Sequence, residues 1–167
     1  MFISIIFFRL KFFLILWLIL FYFSTSKKVC AIDNFYAKNN IILDLKLDLI
    51  WLRCSVGQIW DGKTCKGKAI KIKMEQMKEV IKQANEQLGS GWRLPNRREL
   101  ESLVCKTCNK VKINEKYFPN TSYEPYWTGE RNNWHKNFYW SVNFFTGHTF
   151  GRFPGFIPNY VRLVRDR

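Results

Sequence analysis

The stretch Gly91-Trp92-Arg93-Leu94-Pro95-Asn96-Arg97-Arg98-Glu99-Leu100 carries the clearest structural signal in this chain. Its second half predicts the start of a helix, because the Asn96 side chain can cap free backbone amides and Glu99, three positions later, completes a capping box. The buried face of that helix is predicted to consist of Leu100, Leu103 and Val104. Two further segments accompany this stretch: Trp51 to Gln58 upstream, and Tyr160 to Arg165 downstream.

These three segments, in this order, resemble the bacterial family named after the C-terminal domain of a Legionella collagen-like adhesin. Other parts of the same pattern are Phe118-Pro119-Asn120-Thr121, Tyr126-Trp127-Thr128 and Trp140-Ser141-Val142-Asn143-Phe144. The resemblance extends over about residues 40 to 165. It implies a single α+β domain with a C-type-lectin-like fold, similar to that of formylglycine-generating enzymes, with two helices and short antiparallel strands. It also implies an exported binding module.

Residues 1–31 predict an export signal. An unbroken apolar run from Phe12 to Phe23 follows Arg9 and Lys11, and it is shorter than the ~20 residues that a membrane span needs. Val29-Cys30-Ala31 fits a small-residue cleavage site, so we expect cleavage after residue 31. Two alternatives stay open: a retained membrane anchor, and a lipid on the cysteine of that site. The protein is therefore expected to be secreted or held in the cell envelope, with membrane contact only through an uncleaved N-terminal segment.

The remaining chain is predicted to form one domain at residues 41–167 after a polar lead-in at residues 32–40. Alternating apolar residues from Leu43 to Trp51 predict a strand. Apolar residues at spacings of three and four predict a helix from about Lys71 to Leu88, ended by the glycines that follow it. Aromatic strands separated by turns are expected after Pro125, and alternation predicts a last strand over residues 161–165.

Four of the five cysteines lie downstream of the predicted cleavage site: Cys54, Cys65, Cys105 and Cys108. An even number in an exported chain predicts disulfides, and three pairings are possible. The simplest is local, with Cys54 joined to Cys65 and Cys105 to Cys108. A redox function for the Cys-x-x-Cys pair is disfavoured, because it follows a helical segment instead of opening one. A four-cysteine zinc site is disfavoured because the first two cysteines are too far apart in sequence.

The charge of the domain predicts a polyanionic partner. Of the 27 Lys and Arg residues, four lie within residues 1–31, so 23 remain against 13 acids and the net charge is about +10. Lys71, Lys78 and Lys82, at spacings of seven and four, would share one side of the predicted helix. We therefore expect an anionic polysaccharide or a host-surface glycan as ligand, and no specific nucleic acid. The alternative is that these lysines only form a solvated face.

Aromatic residues concentrate in the last third of the chain. Trp127, Trp140 and Phe144 are expected in the core. Trp134 and Phe153 lie in turn-rich sequence and are predicted as exposed candidates for sugar stacking or protein contact. A second hypothesis follows from them: a structural or pilus-like envelope component that contacts another protein through its aromatic loops.

Catalysis is not expected. His135 and His148 are the only histidines, and neither has metal-ligand spacing or a neighbouring nucleophile signature. No cofactor or metal is predicted, since the acids are scattered and the familiar calcium-dependent sugar-binding tripeptides are absent. A third hypothesis, an enzyme related to the formylglycine-generating group, would require turnover that depends on a specific cysteine.

Overall fold

The computed structural model describes residues 34–167, so the predicted export signal and its cleavage site lie outside the described residues. Strands and helices are both present, which confirms the α+β class. The helices are a 3-10 helix at Met74–Gln76, α1 at Met77–Leu88 and α2 at Arg97–Ser102. The strands are β1 Phe35–Lys38, β2 Ile41–Asp44, β3 Leu49–Leu52, β4 Ile59–Trp60, β5 Cys65–Lys66, β6 Lys71–Ile72, β7 Pro125–Arg131, β8 Phe138–Asn143, β9 Thr149–Pro154, β10 Asn159–Tyr160 and β11 Val164–Asp166.

The first sheet has the order β1-β2-β3-β11 and is antiparallel throughout. The single strand predicted from Leu43 to Trp51 is wrong, because β2 and β3 form a hairpin there. The Asp44 carboxylate accepts the backbone N–H of Leu47 at 3.1 Å, and Asp48 adopts a left-handed φ of 54°. Apolar and polar residues keep alternating through this turn, so periodicity alone conceals it.

The edges of this sheet are formed by distant parts of the chain. The predicted lead-in at residues 32–40 contains strand β1, which pairs with β2, so the folded domain begins before residue 41. On the other side, β11 pairs with β3 and sets Val164 opposite Trp51. The sheet is therefore completed by pairing between residues that are more than a hundred positions apart in sequence.

The second sheet has the order β6-β10-β7-β8-β9, and only the pairing of β10 with β7 is parallel. Strands β8 and β9 lie where aromatic strands were predicted, and a turn joins them at Gly147, which has a φ of 75°. The last predicted strand is interrupted: residues 159–160 join this sheet and residues 164–166 join the first one.

Two cores lie against the second sheet. Trp127 packs with Met77 of α1 and with Val161, while the adjacent Tyr126 packs with Leu100 of α2. Consecutive residues of a strand point to opposite faces, so each helix covers one side. Trp127 and Phe144 are fully buried, as predicted. Trp140 is only half-buried, which corrects the expectation that it belongs to the core.

The capping box predicted for α2 is confirmed. The Glu99 N–H donates to Asn96 Oδ1 at 2.9 Å, and the Asn96 N–H donates to Glu99 Oε2 at 2.7 Å. By contrast, α1 begins at Met77 and not near Lys71. Lys71 lies in β6 opposite Tyr160, and this pairing with a distant strand replaces the first turns of the predicted helix.

Arg162 is fully buried, although alternation of its neighbours would have placed it on the outer side of a strand. Its guanidinium donates to Thr121 Oγ1 at 2.7 Å and to Ser55 Oγ at 3.3 Å. Two backbone carbonyls, those of Leu52 and Arg53, accept from its Nη1. Burial lowers the pKa of Arg162. None of these four partners is a carboxylate, so backbone and hydroxyl dipoles compensate the buried charge together with the rings of Phe118 and Tyr126, whose centroids lie 4.8 and 5.9 Å from the guanidinium.

Both local disulfides are confirmed: Cys54 is bonded to Cys65 and Cys105 to Cys108. The first bond joins the end of β3 to the hairpin of β4 and β5, within a segment predicted to be irregular. This hairpin and the disulfide are here called the cysteine hairpin (residues 54–66). Asp61 closes its turn by accepting the backbone N–H of Thr64 at 2.7 Å, and hydrogen bonds of this kind lower the pKa of Asp61.

Candidate functional site

A short turn between β7 and β8 projects Trp134 into solvent. The buried Asn132 organises this turn, because its Oδ1 accepts the backbone N–H of Trp134 at 2.9 Å and of His135 at 3.3 Å. Its Nδ2 donates to the Gly151 carbonyl on β9 at 2.8 Å. Trp134 is 85% exposed, yet the backbone beneath it is anchored on both sides.

Trp140 forms a second aromatic surface next to this turn. Gly151 of β9 lies so close to the six-membered part of its ring that an added Cβ would meet ring carbons at 2.8 Å. The Arg97 guanidinium, at the start of α2, lies 4.5 Å from the Trp140 ring centroid. A cation over an indole face is a favourable arrangement, and it holds the charge at this edge of the sheet.

The two indoles share a cleft of about 270 Å³, here called the Trp134 cleft. Its lining residues are Asn132, Trp134, His135, Trp140, Gly151 and Arg152. Arg152 is exposed and brings a permanent positive charge to the lining. The cleft thus combines apolar ring surface with the guanidinium donors of Arg152, which suits a ligand with flat apolar faces and anionic groups.

The predicted cluster of Lys71, Lys78 and Lys82 does not form. Lys78 and Lys82 are four residues apart on exposed positions of α1, and Lys82 lies 3.9 Å from Glu86. Lys71 is on β6, where its Nζ contacts Glu124 Oε2 at 2.6 Å. That hydrogen bond with Glu124 raises the pKa of Lys71. Lys71 is thus engaged in an ion pair and does not share the face of α1.

Of the two predicted aromatic binding residues, one is exposed and one is not. Trp134 lies in the cleft as described. Phe153 is half-buried and packs edge-on against Trp127, with ring centroids 6.1 Å apart. The turn-rich sequence around Phe153 suggested exposure, but Phe153 lies within β9 and its side chain faces the core beneath α1.

Sequence reasoning missed three residues of this site: Asn132, Arg97 and Arg152. A weak signal exists for the first, because an Asn two residues before an exposed aromatic favours an Asx turn. Nothing in the sequence indicated that Arg97 would reach Trp140, 43 positions away, since that contact depends on how α2 packs against β8.

A family model matches residues 40–165, which is most of the chain, and it describes the Lcl C-terminal domain. The chain belongs to the Lcl C-terminal domain family. Membership supports a surface-associated, adhesin-like protein that is exported or associated with the envelope. No curated protein and no solved structure matches the chain.

The Trp-Arg-Leu-Pro motif of this Lcl C-terminal domain has a structural role, which depends on the contacts of Arg93. The Arg93 guanidinium contacts both Glu99 oxygens, at 2.8 and 2.9 Å, and Asp166 Oδ1 at 2.6 Å. These hydrogen bonds, that with Glu99 above all, raise the pKa of Arg93. The Arg93 backbone also pairs with Val164. The motif therefore ties the start of α2 to β11.

Within residues 34–167 of the Lcl C-terminal domain protein, no helix is long and apolar enough to cross a membrane. No three His, Cys, Asp or Glu residues in that range are grouped so that they could hold a metal ion.

Proposed function

We propose that this protein is an exported, adhesin-like module that binds anionic glycans at the Trp134 cleft without catalysing a reaction. One observation carries the proposal: an almost fully exposed indole is held in an ordered turn beside a second indole and an exposed arginine, Arg152. Burying an exposed indole against a ligand is favourable, so an indole kept in solvent marks a candidate binding surface. Because the turn is already anchored, little conformational entropy is lost when a ligand binds.

The chemistry of the lining favours a sugar that carries sulfate or carboxylate groups. The C–H face of a pyranose can stack on Trp134, while Arg152 presents a planar guanidinium group that can bind sulfate or carboxylate through paired hydrogen bonds. The net charge of about +10 on the domain attracts such polymers over longer distances.

The C-type-lectin-like fold implied by the family resemblance remains part of this proposal. The pairing of β11 with β3 supports it, because it brings the two ends of the domain into one sheet. We expect binding to be independent of calcium, so a chelator should leave the affinity unchanged. We also propose that no cofactor takes part.

Heparin of defined length is a suitable probe, with binding measured by isothermal titration calorimetry. Trp134→Ala should weaken binding about three- to tenfold through loss of stacking, and Arg152→Glu should weaken it at least tenfold. Phe156→Ala is the matched control, because Phe156 is an exposed aromatic residue outside the cleft. Raising the salt from about 0.05 to 0.5 M should reduce the affinity, since exposed charges are screened.

Retained affinity in both cleft variants would overturn the assignment of the cleft. The double variant Lys78→Glu/Lys82→Glu tests the helix lysines separately, and a loss of binding confined to it would place the glycan on α1. Absence of heparin binding at low salt in the unaltered protein would overturn glycan binding altogether.

A second candidate function is contact with another envelope protein through aromatic loops. Tyr123 and Phe145 favour it, since both are exposed and their ring centroids lie 6.2 Å apart. Such an association would be insensitive to salt, which distinguishes it from glycan binding. Tyr123→Ala/Phe145→Ala should weaken it while leaving heparin binding unchanged.

A further inference from the structure

A second cavity of about 560 Å³ lies between α1 and the cysteine hairpin, and it shares no lining residue with the Trp134 cleft. We call it the α1 groove. Its apolar wall is formed by Leu52, Val56, Val80, Ala84 and Leu163. Ile59 of β4 stands at its rim with 76% of its surface exposed, and Ile70 and Leu88, also in the lining, are exposed as well.

The α1 groove contains no charged side chain among its lining residues, although the domain around it carries about ten excess positive charges. The polar groups of the lining are instead mostly side-chain amides: Asn39, Asn40, Gln58, Gln83 and Gln87. Lys78 and Lys82 belong to the same helix, yet neither lines the groove. The Arg53 guanidinium lies beside the groove, 3.9 Å from the Trp60 ring centroid, and is already engaged by the Tyr117 and Lys116 carbonyls. Neutral lining of this kind favours a neutral ligand, because a charged ligand would lose hydration among these residues.

The side-chain amides of the groove indicate which class of neutral ligand it binds. A side-chain amide both donates and accepts hydrogen bonds, so it can pair with the N–H and C=O groups of a peptide. Gln58 is engaged within the domain by the Ser55 N–H and the Asn120 carbonyl, and Gln83 donates to Glu79, so this role falls to Asn39, Asn40 and Gln87. Among the described strands β4 pairs only with β5, and β4 contributes Ile59 and Trp60 to the groove. Its second edge is therefore open to an added strand, a common mode of peptide recognition.

We propose that the α1 groove binds a neutral, apolar, extended segment of a partner protein. The apolar side chains of that segment cover Ile59, Ile70 and Leu88, while its backbone pairs with the amide rim and the open edge of β4. This site is separate from the proposed glycan site, so the domain joins a charged surface ligand at one place to a protein partner at another. The cavity volume lies in the range typical of ligand sites, about 300–1,000 Å³.

The probe is an acetylated and amidated hexapeptide of Leu, Val, Ile and Asn, titrated into ¹⁵N-labelled domain and followed by NMR. We expect shifts at residues of the α1 groove and an affinity that is unchanged between about 0.05 and 0.5 M salt. Ile59→Lys/Leu88→Lys should weaken binding at least tenfold. Leu45→Lys is the matched control, because Leu45 is 56% exposed and lies outside the groove. Both variants should keep the near-UV circular-dichroism spectrum and melting temperature of the unaltered protein, which shows that the fold is intact. Arg152→Glu should keep the affinity of the unaltered protein for the hexapeptide, which separates this test from that of the glycan site.

Several outcomes would overturn the proposal. One is an absence of shifts at the groove with millimolar peptide, and another is equal binding of the peptide to the Ile59→Lys/Leu88→Lys variant. A third is equal binding of a hexapeptide with Lys at its two central positions. Shifts produced at these residues by a neutral monoacylglycerol, but not by the hexapeptide, would assign the groove to an acyl chain instead.

Discussion

Arg162 and Thr121 are joined by a 2.7 Å hydrogen bond inside the domain, from the guanidinium Nη2 to the threonine hydroxyl. The Arg162 guanidinium also lies 4.8 Å from the ring centroid of Phe118. The same guanidinium therefore contacts both Phe118 and Thr121. Through its bonds to the carbonyls of residues 52 and 53, the same side chain reaches the end of β3. One buried residue thus links the first sheet to the segment before β7.

Replacing this residue should be costly. Arg162→Met fills part of the volume but removes the donor from two backbone carbonyls and two buried hydroxyls, so we expect the free energy of unfolding to fall by about 2–4 kcal/mol. Urea denaturation followed by tryptophan fluorescence measures this. Arg98→Met is the control, because Arg98 is exposed, and it should change stability by less than about 0.5 kcal/mol. Equal stability of the two variants would contradict the structural role.

The two disulfides should differ in their contribution to stability. Cys54 and Cys65 are eleven positions apart and both are buried, whereas Cys105 and Cys108 are three apart. Closing the longer loop removes more entropy from the unfolded chain, about 3 kcal/mol against about 2 for the shorter one. Cys54→Ala/Cys65→Ala should therefore lower the melting temperature more than Cys105→Ser/Cys108→Ser. The reverse order in calorimetry would contradict this.

Alkaline pH should destabilise the domain through Tyr126. Burial raises the pKa of this phenol, whose hydroxyl bonds Ser55 Oγ at 2.8 Å. In the unfolded chain the phenol ionises near pH 10, before it does so in the folded state, so its contribution is intact below about pH 10 and is lost as the pH rises further. Tyr126→Phe should flatten the decline in unfolding free energy between about pH 9.5 and 11. Tyr36→Phe, at an exposed position, should not.

Export remains a prediction from the sequence alone. We expect the mature N-terminus near Ile32, because the apolar run has the length of an export signal and Val-Cys-Ala fits its cleavage site. Intact-mass spectrometry of the protein released from cells would establish this. Recovery of the uncleaved chain in the membrane fraction would favour a retained anchor instead.

Local patterns predicted the parts of the fold that depend on neighbouring residues. The capping box of Asn96 and Glu99 needs only four residues, and the paired cysteines of each disulfide are close in sequence. The predictions that failed concern residues whose structure depends on pairing with strands distant in sequence. Lys71 belongs to a strand because β10 pairs with it, and Arg162 is buried because the chain crosses from one sheet to the other at residues 161–163.

In the candidate site, too, some residues could be predicted from local sequence and others could not. The exposure of Trp134 followed from its turn-rich sequence, whereas Phe153 in a similar context packs against Trp127. The contact of Arg97 with Trp140 depends on the placement of α2 over β8, and no spacing rule predicts such a placement. Predictions of single exposed residues were therefore only partly correct, and the grouping of residues into a site required the structure.

The pairing of β11 with β3 has a consequence for how the protein is made. Strand β3 lies near residue 50 and its partner near residue 165, so the first sheet cannot be completed until more than a hundred further residues have been synthesised. Contacts so distant in sequence also slow folding. Any product shortened before residue 164 would leave an edge of β3 unpaired, which invites aggregation and removal by proteases.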